Sequence, residues 1–137
     1  MTVHQSLLPP GWKRPRGYAN GVAASGRMVF TAGVVGWDAE ERFVAADLAG
    51  QFRQVLVNTL AILAEGGAGP EHIVRMTWYV TSRDEYLASL PAIGEAYRDL
   101  IGKNFPAMAV VEVVALVEAA AKIEIETIAV VAEAPAL

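Results

Sequence analysis

Seven residues at helical spacing, Leu48, Phe52, Val55, Leu56, Thr59, Ile62 and Leu63, lie between strand-like stretches and constrain this chain more than any other feature. Positions three and four apart share one side of a helix, so this stripe predicts one helix with a single buried face. Asp47 precedes it as the expected N-cap. Gly66-Gly67 ends it, because glycine readily takes the left-handed conformation that follows a last turn. Gln51, Arg53, Gln54 and Asn58 mark the expected wet side. A one-sided helix needs a second layer to cover it, and the rest of the chain offers strands.

Two strand-like runs, Tyr18 to Ala24 and Arg27 to Val35, flank Ser25-Gly26, a short hairpin signal. Gly33 and Gly36 interrupt the second run, as glycines do where something approaches the backbone closely. Arg75 to Thr81 is rich in β-branched and aromatic residues and reads as a strand. From Asp84 to Ile101 the pattern is helical, but Pro91 divides it into a short helix and a longer one, which Gly102 closes. Two strands finish the chain, Ala107 to Val117 and Lys122 to Val131. Met108, Val110 and Glu112 share one face of the first, and Glu124, Glu126 and Ile128 share one face of the second. The order β-β-α-β-α-β-β predicts an α+β layer, a mixed sheet with helices on one side. Residues 1–16, with Pro9, Pro10 and Pro15, read as an extended arm, and 17–137 as one domain.

Apolar residues make up 54% of the 137 and charged residues 19%, which excludes a disordered chain. The net charge of −4 argues against a nucleic-acid or anionic-membrane partner. With no cysteine, the chain has no disulfide, thiolate metal site or Cys nucleophile. His4 and His72 lack ligand-like spacing, so no metal is expected. Ser25 and Ser82 sit beside turns without a nucleophile elbow, which argues against serine hydrolase chemistry. No signal segment is evident and no apolar run nears the roughly 18 residues of a membrane span, so a cytoplasmic protein is the default expectation. The apolar surplus, together with a sheet face left uncovered, points to burial against sister subunits.

Gly17-Tyr18, Thr31-Ala32-Gly33, Asn58-Thr59-Leu60, Phe105-Pro106-Ala107 and Lys122-Ile123-Glu124-Ile125-Glu126 occur in an order and spacing that resemble the reactive intermediate deaminases. These are the RidA or YjgF family, once described as L-PSP endoribonucleases. The resemblance runs from about residue 17 to 131 and implies a chorismate-mutase-like fold, a homotrimer around a central barrel, and small-molecule clefts between subunits. It also implies cofactor-free hydrolysis of enamines and imines to a carbonyl compound and ammonia. In active members an arginine directly after Phe-Pro-Ala clamps the substrate carboxylate, a glutamate of the last strand positions water, and a tyrosine and a serine line the cleft.

Carried onto this chain, the match is mixed. Tyr18 stands at the cleft tyrosine, Gly33 at the loop glycine and Glu124 at the water-positioning carboxylate. Met108 replaces the arginine, Ala32 the usual serine or threonine, and Val110 a common cysteine. Arginine grips a carboxylate through a bidentate, charge-assisted fork, whereas methionine offers a soft apolar surface. Loss of one such partner costs about 2–5 kcal/mol, so small 2-imino acids are expected to be poor substrates.

The expected site therefore comprises Glu124 as the catalytic residue, with Tyr18, Ala32, Gly33, Met108, Ala109 and Val110 around the ligand. The backbone near Gly33 and Ala109 is expected to hold a polar group. Against this stand blander readings: Glu124 as a carboxylate paired with Lys122 or an arginine, Tyr18 as a plain interface aromatic, and Met108 as core filler. Glu112 is a weaker candidate, facing Glu124 across a terminal hairpin to form an acid–base pair. Arg14 or Arg16, in a basic cluster with Lys13, is a candidate source of the missing positive charge, and Trp37 a candidate cleft wall. The alternative function is a non-catalytic small-molecule-binding trimer using the same cleft.

Overall fold

The computed structural model describes residues 3–133. Helix α1 spans Leu48–Glu65 and buries Leu48, Phe52, Val55, Leu56, Thr59 and Leu63, the expected stripe apart from Ile62, which stays exposed. Asp47 occupies the N-cap position without a side-chain bond to the helix. The Leu48 amide donates instead to the Glu85 carboxylate at 3.2 Å. Gln51 corrects the reading of a uniformly wet side. It is buried because its amide donates to the Ala45 and Ala120 carbonyls (3.1 and 2.9 Å) and accepts from the Lys122 amide at 2.7 Å. A buried amide with every contact satisfied stitches helix to loop at little cost.

Strands β1 (Gln5–Leu7) and β2 (Gly21–Ala23) pair antiparallel as a small sheet. The expected hairpin between β2 and β3 (Arg27–Phe30) does not form, and Gly26 between them supplies the reason. Its φ of +145° is a glycine conformation, and a Cβ there would lie 2.2 Å from the Val131 carbonyl oxygen. The chain is thus turned tightly against the last strand, and β3 pairs with that strand instead.

The main sheet also contains β4 (Val34–Val35), β5 (Ile73–Val80), β6 (Ala107–Glu112) and β7 (Ile123–Val131). Its order is β3-β7-β5-β6, with β4 also against β7. β5 and β6 run parallel while the other pairs are antiparallel. β6 stops at Glu112, short of the expected Val117. Beyond the bond from the Val113 amide to the Val80 carbonyl, β5 has ended and no neighbour remains to pair with. Helices α2 (Arg83–Ala88) and α3 (Leu90–Leu100) divide at Ser89, with Pro91 in the first turn of α3 as the sequence predicts.

The helices cover one face of the sheet. Met76, Trp78, Val80, Ile123 and Ile125 point toward them, and Trp78 meets Phe52 of α1 at a ring-centroid distance of 4.8 Å. The opposite face carries Arg75, Thr77, Tyr79, Glu124, Glu126 and Ile128, and it leaves Met28 and Phe30 of β3 largely exposed. This is the α+β layer that the sequence predicts. Among the described residues, no helix is long and apolar enough to cross a membrane.

Candidate active site

One group of expected residues lies on the helix side. Met108 and Val110 register with Met76 and Trp78, so their side chains point toward the helices, into a cavity of about 630 Å³. Tyr18 joins them because the Ala19 amide donates to the Pro106 carbonyl at 2.9 Å, which seats the chain beside the start of β6. Trp78, Tyr97 and Phe105 form aromatic walls, the last two stacked with centroids 5.9 Å apart. Burial pushes the Tyr97 hydroxyl up, so it stays neutral and donates to the Asn104 carbonyl. Arg16 lines this cavity. Arg14 instead lines a neighbouring one of about 330 Å³, which also touches Tyr18 and Phe105.

A second group gathers on the bare face. Glu124 registers with Tyr79 on one side and Val35 on the other. A Cβ at Gly33 would lie 2.5 Å from the Glu124 Oε2, so the carboxylate rests directly against the bare backbone of this glycine. That carboxylate makes no hydrogen bond or ion pair with any described residue. The expected partner Lys122 turns to Glu85 at 3.0 Å. Next to it, Tyr79 donates its hydroxyl to Glu126. This bond, some desolvation and the charges of Glu126 and Glu124 raise the Tyr79 pKa, leaving a neutral donor among carboxylates. Ala32 is exposed beside Gly33 and offers no hydroxyl. Ala109 registers with Thr77 and so faces the same side. Its strand, β6, is the last of the main sheet, and the isolated bridge between Ala19 and Ala107 covers its start.

One expectation is overturned, and a further residue lies beside Gly33 rather than beside Tyr18. Glu112 does not face Glu124, because β5 lies between β6 and β7, and its carboxylate accepts from the Arg83 amide at 2.7 Å. Trp37 is not in the Tyr18 cavity. It packs on Phe43 at 5.8 Å and borders a separate hollow with Gly33, held by the Asn58 amide donating to its carbonyl at 2.7 Å.

A family model described as Endoribonuclease L-PSP matches residues 13–131. The chain belongs to this family, the RidA/YjgF proteins. The 2-iminobutanoate/2-iminopropanoate deaminase of Escherichia coli is 37% identical over 113 residues, covering 82% of this chain and 86% of that protein. Among solved structures, a Rid-family protein of unknown function from Yersinia pestis, YyfB, superposes with a TM-score of 0.81 at 32% identity, over 93% of this chain and 98% of its own. A putative endoribonuclease from Thermotoga maritima gives 0.68 at 27% identity, covering 94% and 98%.

In this Rid-family chain the two groups occupy opposite faces of one sheet. Tyr18, Met108 and Val110 line the helix-side cavity, while Gly33 and Glu124 meet on the bare face with Ala32 beside them. Within the single chain Met108 and Glu124 do not come together. Trp78, Tyr97 and Arg98 also line the cavity and were not singled out from the sequence. The available signal was the spacing of α3, where Ile93 and Tyr97 point inward and Gly94 and Arg98 flank them.

Proposed function

We propose that this Rid-family protein is a cytoplasmic hydrolytic enamine or imine deaminase whose cleft forms between subunits of a homotrimer. One subunit contributes the Tyr18–Met108 cavity and its neighbour contributes Gly33 and Glu124. The observation that carries the reading is the Glu124 carboxylate seated against Gly33 without a hydrogen-bond or ion-pair partner among the described residues. A carboxylate without a protein partner is available to order a water and accept its proton as the water attacks a C=N carbon. Glu124 passes that proton on to the nitrogen, giving a neutral carbinolamine. Transfer of the remaining hydroxyl proton to nitrogen then breaks the C–N bond to leave a carbonyl compound and ammonia, with no oxidant or cofactor consumed. Exposed Met28 and Phe30 on the bare face favour an assembly that covers them. The named activity of the E. coli relative supports the reaction class.

Met108 shapes the specificity. It carries no fork for a carboxylate placed directly beside the imine, so 2-iminopropanoate is a poor substrate in this reading. The test is ammonia release from freshly generated imines, with and without a carboxylate. Release no faster than in buffer for every imine would overturn the proposal. Met108→Arg adds a second arm. It is expected to raise 2-iminopropanoate turnover about thirtyfold or more, the converse of losing a buried charged partner. No gain in a folded Met108→Arg variant favours the second reading, a binding module that uses the same cavity without turnover. The methionine itself is what supports that second reading.

A further inference from the structure

We propose that Arg98, with Arg16 beside it, is the acid-binding group of the Tyr18–Met108 cavity, and that the cavity takes a carboxylate carried on a bulky apolar or aromatic body. The two arginines are the charged side chains of this lining. Among the described residues no carboxylate borders it, although the chain as a whole is acidic. Neither arginine forms an ion pair or hydrogen bond with a described residue, in contrast to Arg53, which holds Asp99 at 2.8 Å. Gly94, one turn before Arg98, makes room: a Cβ there would lie 3.2 Å from the Arg98 Nη1. The guanidinium therefore lies over that bare turn, on the side of α3 that borders the cavity.

Polarity then changes with depth. Arg16 and Arg98 are exposed, at the mouth, whereas Met108, Val110 and Ile93 are partly or fully buried within. A ligand that satisfies both ends is amphiphilic, with its acid at the rim and its body against thioether and aromatic rings. The buried Trp78 adds an unused polar contact, because its indole N–H has no acceptor among the described residues. Volume favours the same choice, since about 630 Å³ is far more than a small 2-imino acid fills.

The inference rests on the deaminase reading only in placing the ligand in that cavity, and its test needs no turnover. Keto acids are stable stand-ins for the imines. Calorimetric titration with phenylpyruvate, pyruvate and the uncharged phenylacetone separates the contributions of body and acid. Phenylpyruvate is expected to bind about tenfold or more tightly than pyruvate. Arg98→Gln is expected to weaken phenylpyruvate about tenfold and leave phenylacetone unchanged, while Arg98→Lys recovers part of the loss. Arg98 is exposed and has no ion-pair partner among the described residues, so the melting temperature should not move. Equal binding of phenylpyruvate and pyruvate, or an Arg98→Gln protein that binds phenylpyruvate like the parent, would overturn the assignment. Failure to release ammonia from any imine would remove the deaminase reading and leave these affinities standing.

Discussion

Glu124→Gln is expected to lower ammonia release by about a hundred- to ten-thousandfold, the usual contribution of a positioned proton acceptor. Glutamine keeps the length and hydrogen-bonding reach of the side chain but cannot take a proton from water. Because the Glu124 carboxylate has no bond to break among the described residues, and Gly33 leaves the same room for an amide, stability should change by less than about 0.5 kcal/mol. Initial rates of ammonia release, read beside a thermal melt, separate the two effects. Parent-like rates in a folded Glu124→Gln protein would remove Glu124 from the chemistry.

The largest loss of stability is expected from Phe52→Ala. Phe52 is fully buried and joins α1 to the sheet through Trp78 at 4.8 Å. Removing the ring discards its transfer energy and leaves a void that the helix and sheet only partly close, a cost of about 3–5 kcal/mol. For a domain of this size the melting temperature should fall by about 10 °C or more. Denaturant unfolding followed by tryptophan fluorescence measures it. A loss below about 1 kcal/mol would mean that α1 and β5 do not share a close-packed interface. The damage should also reach the ligand cavity, because Trp78 is both the floor of the core and a wall of the cavity.

The elements that local pattern dictates were legible in advance. The stripe of α1 needs no partner to declare its buried side, and Pro91 breaks a helix wherever it falls, which is why the α2–α3 division appears where expected. Pairing between strands was not legible. Ser25-Gly26 reads as a hairpin turn from its residues, but the left-over space beside the Val131 carbonyl decides where β3 goes. Glu112 and Glu124 alternate onto promising faces within their own strands, yet only the sheet order reveals that β5 separates them. Gln51 has the composition of a surface residue and becomes buried because two distant segments, at Ala45 and Ala120, present their carbonyls to it. Among the candidate site residues, Tyr18, Gly33 and Glu124 were named through the family motifs. Arg98 belongs to no such motif and emerged only when α3 folded over β6.

The placement of Met108 and Glu124 on opposite sides of one sheet has a genetic consequence if the proposed trimer forms. Each cleft then borrows one flank from each of two neighbours, so a lesion disables only the clefts in which its own flank takes part. Two silent proteins, one carrying Glu124→Gln and the other an obstructed Tyr18 cavity, should complement each other once their chains are scrambled into hybrid rings. Some clefts in such a ring inherit both intact flanks, and activity returns from a mixture of parents that have none.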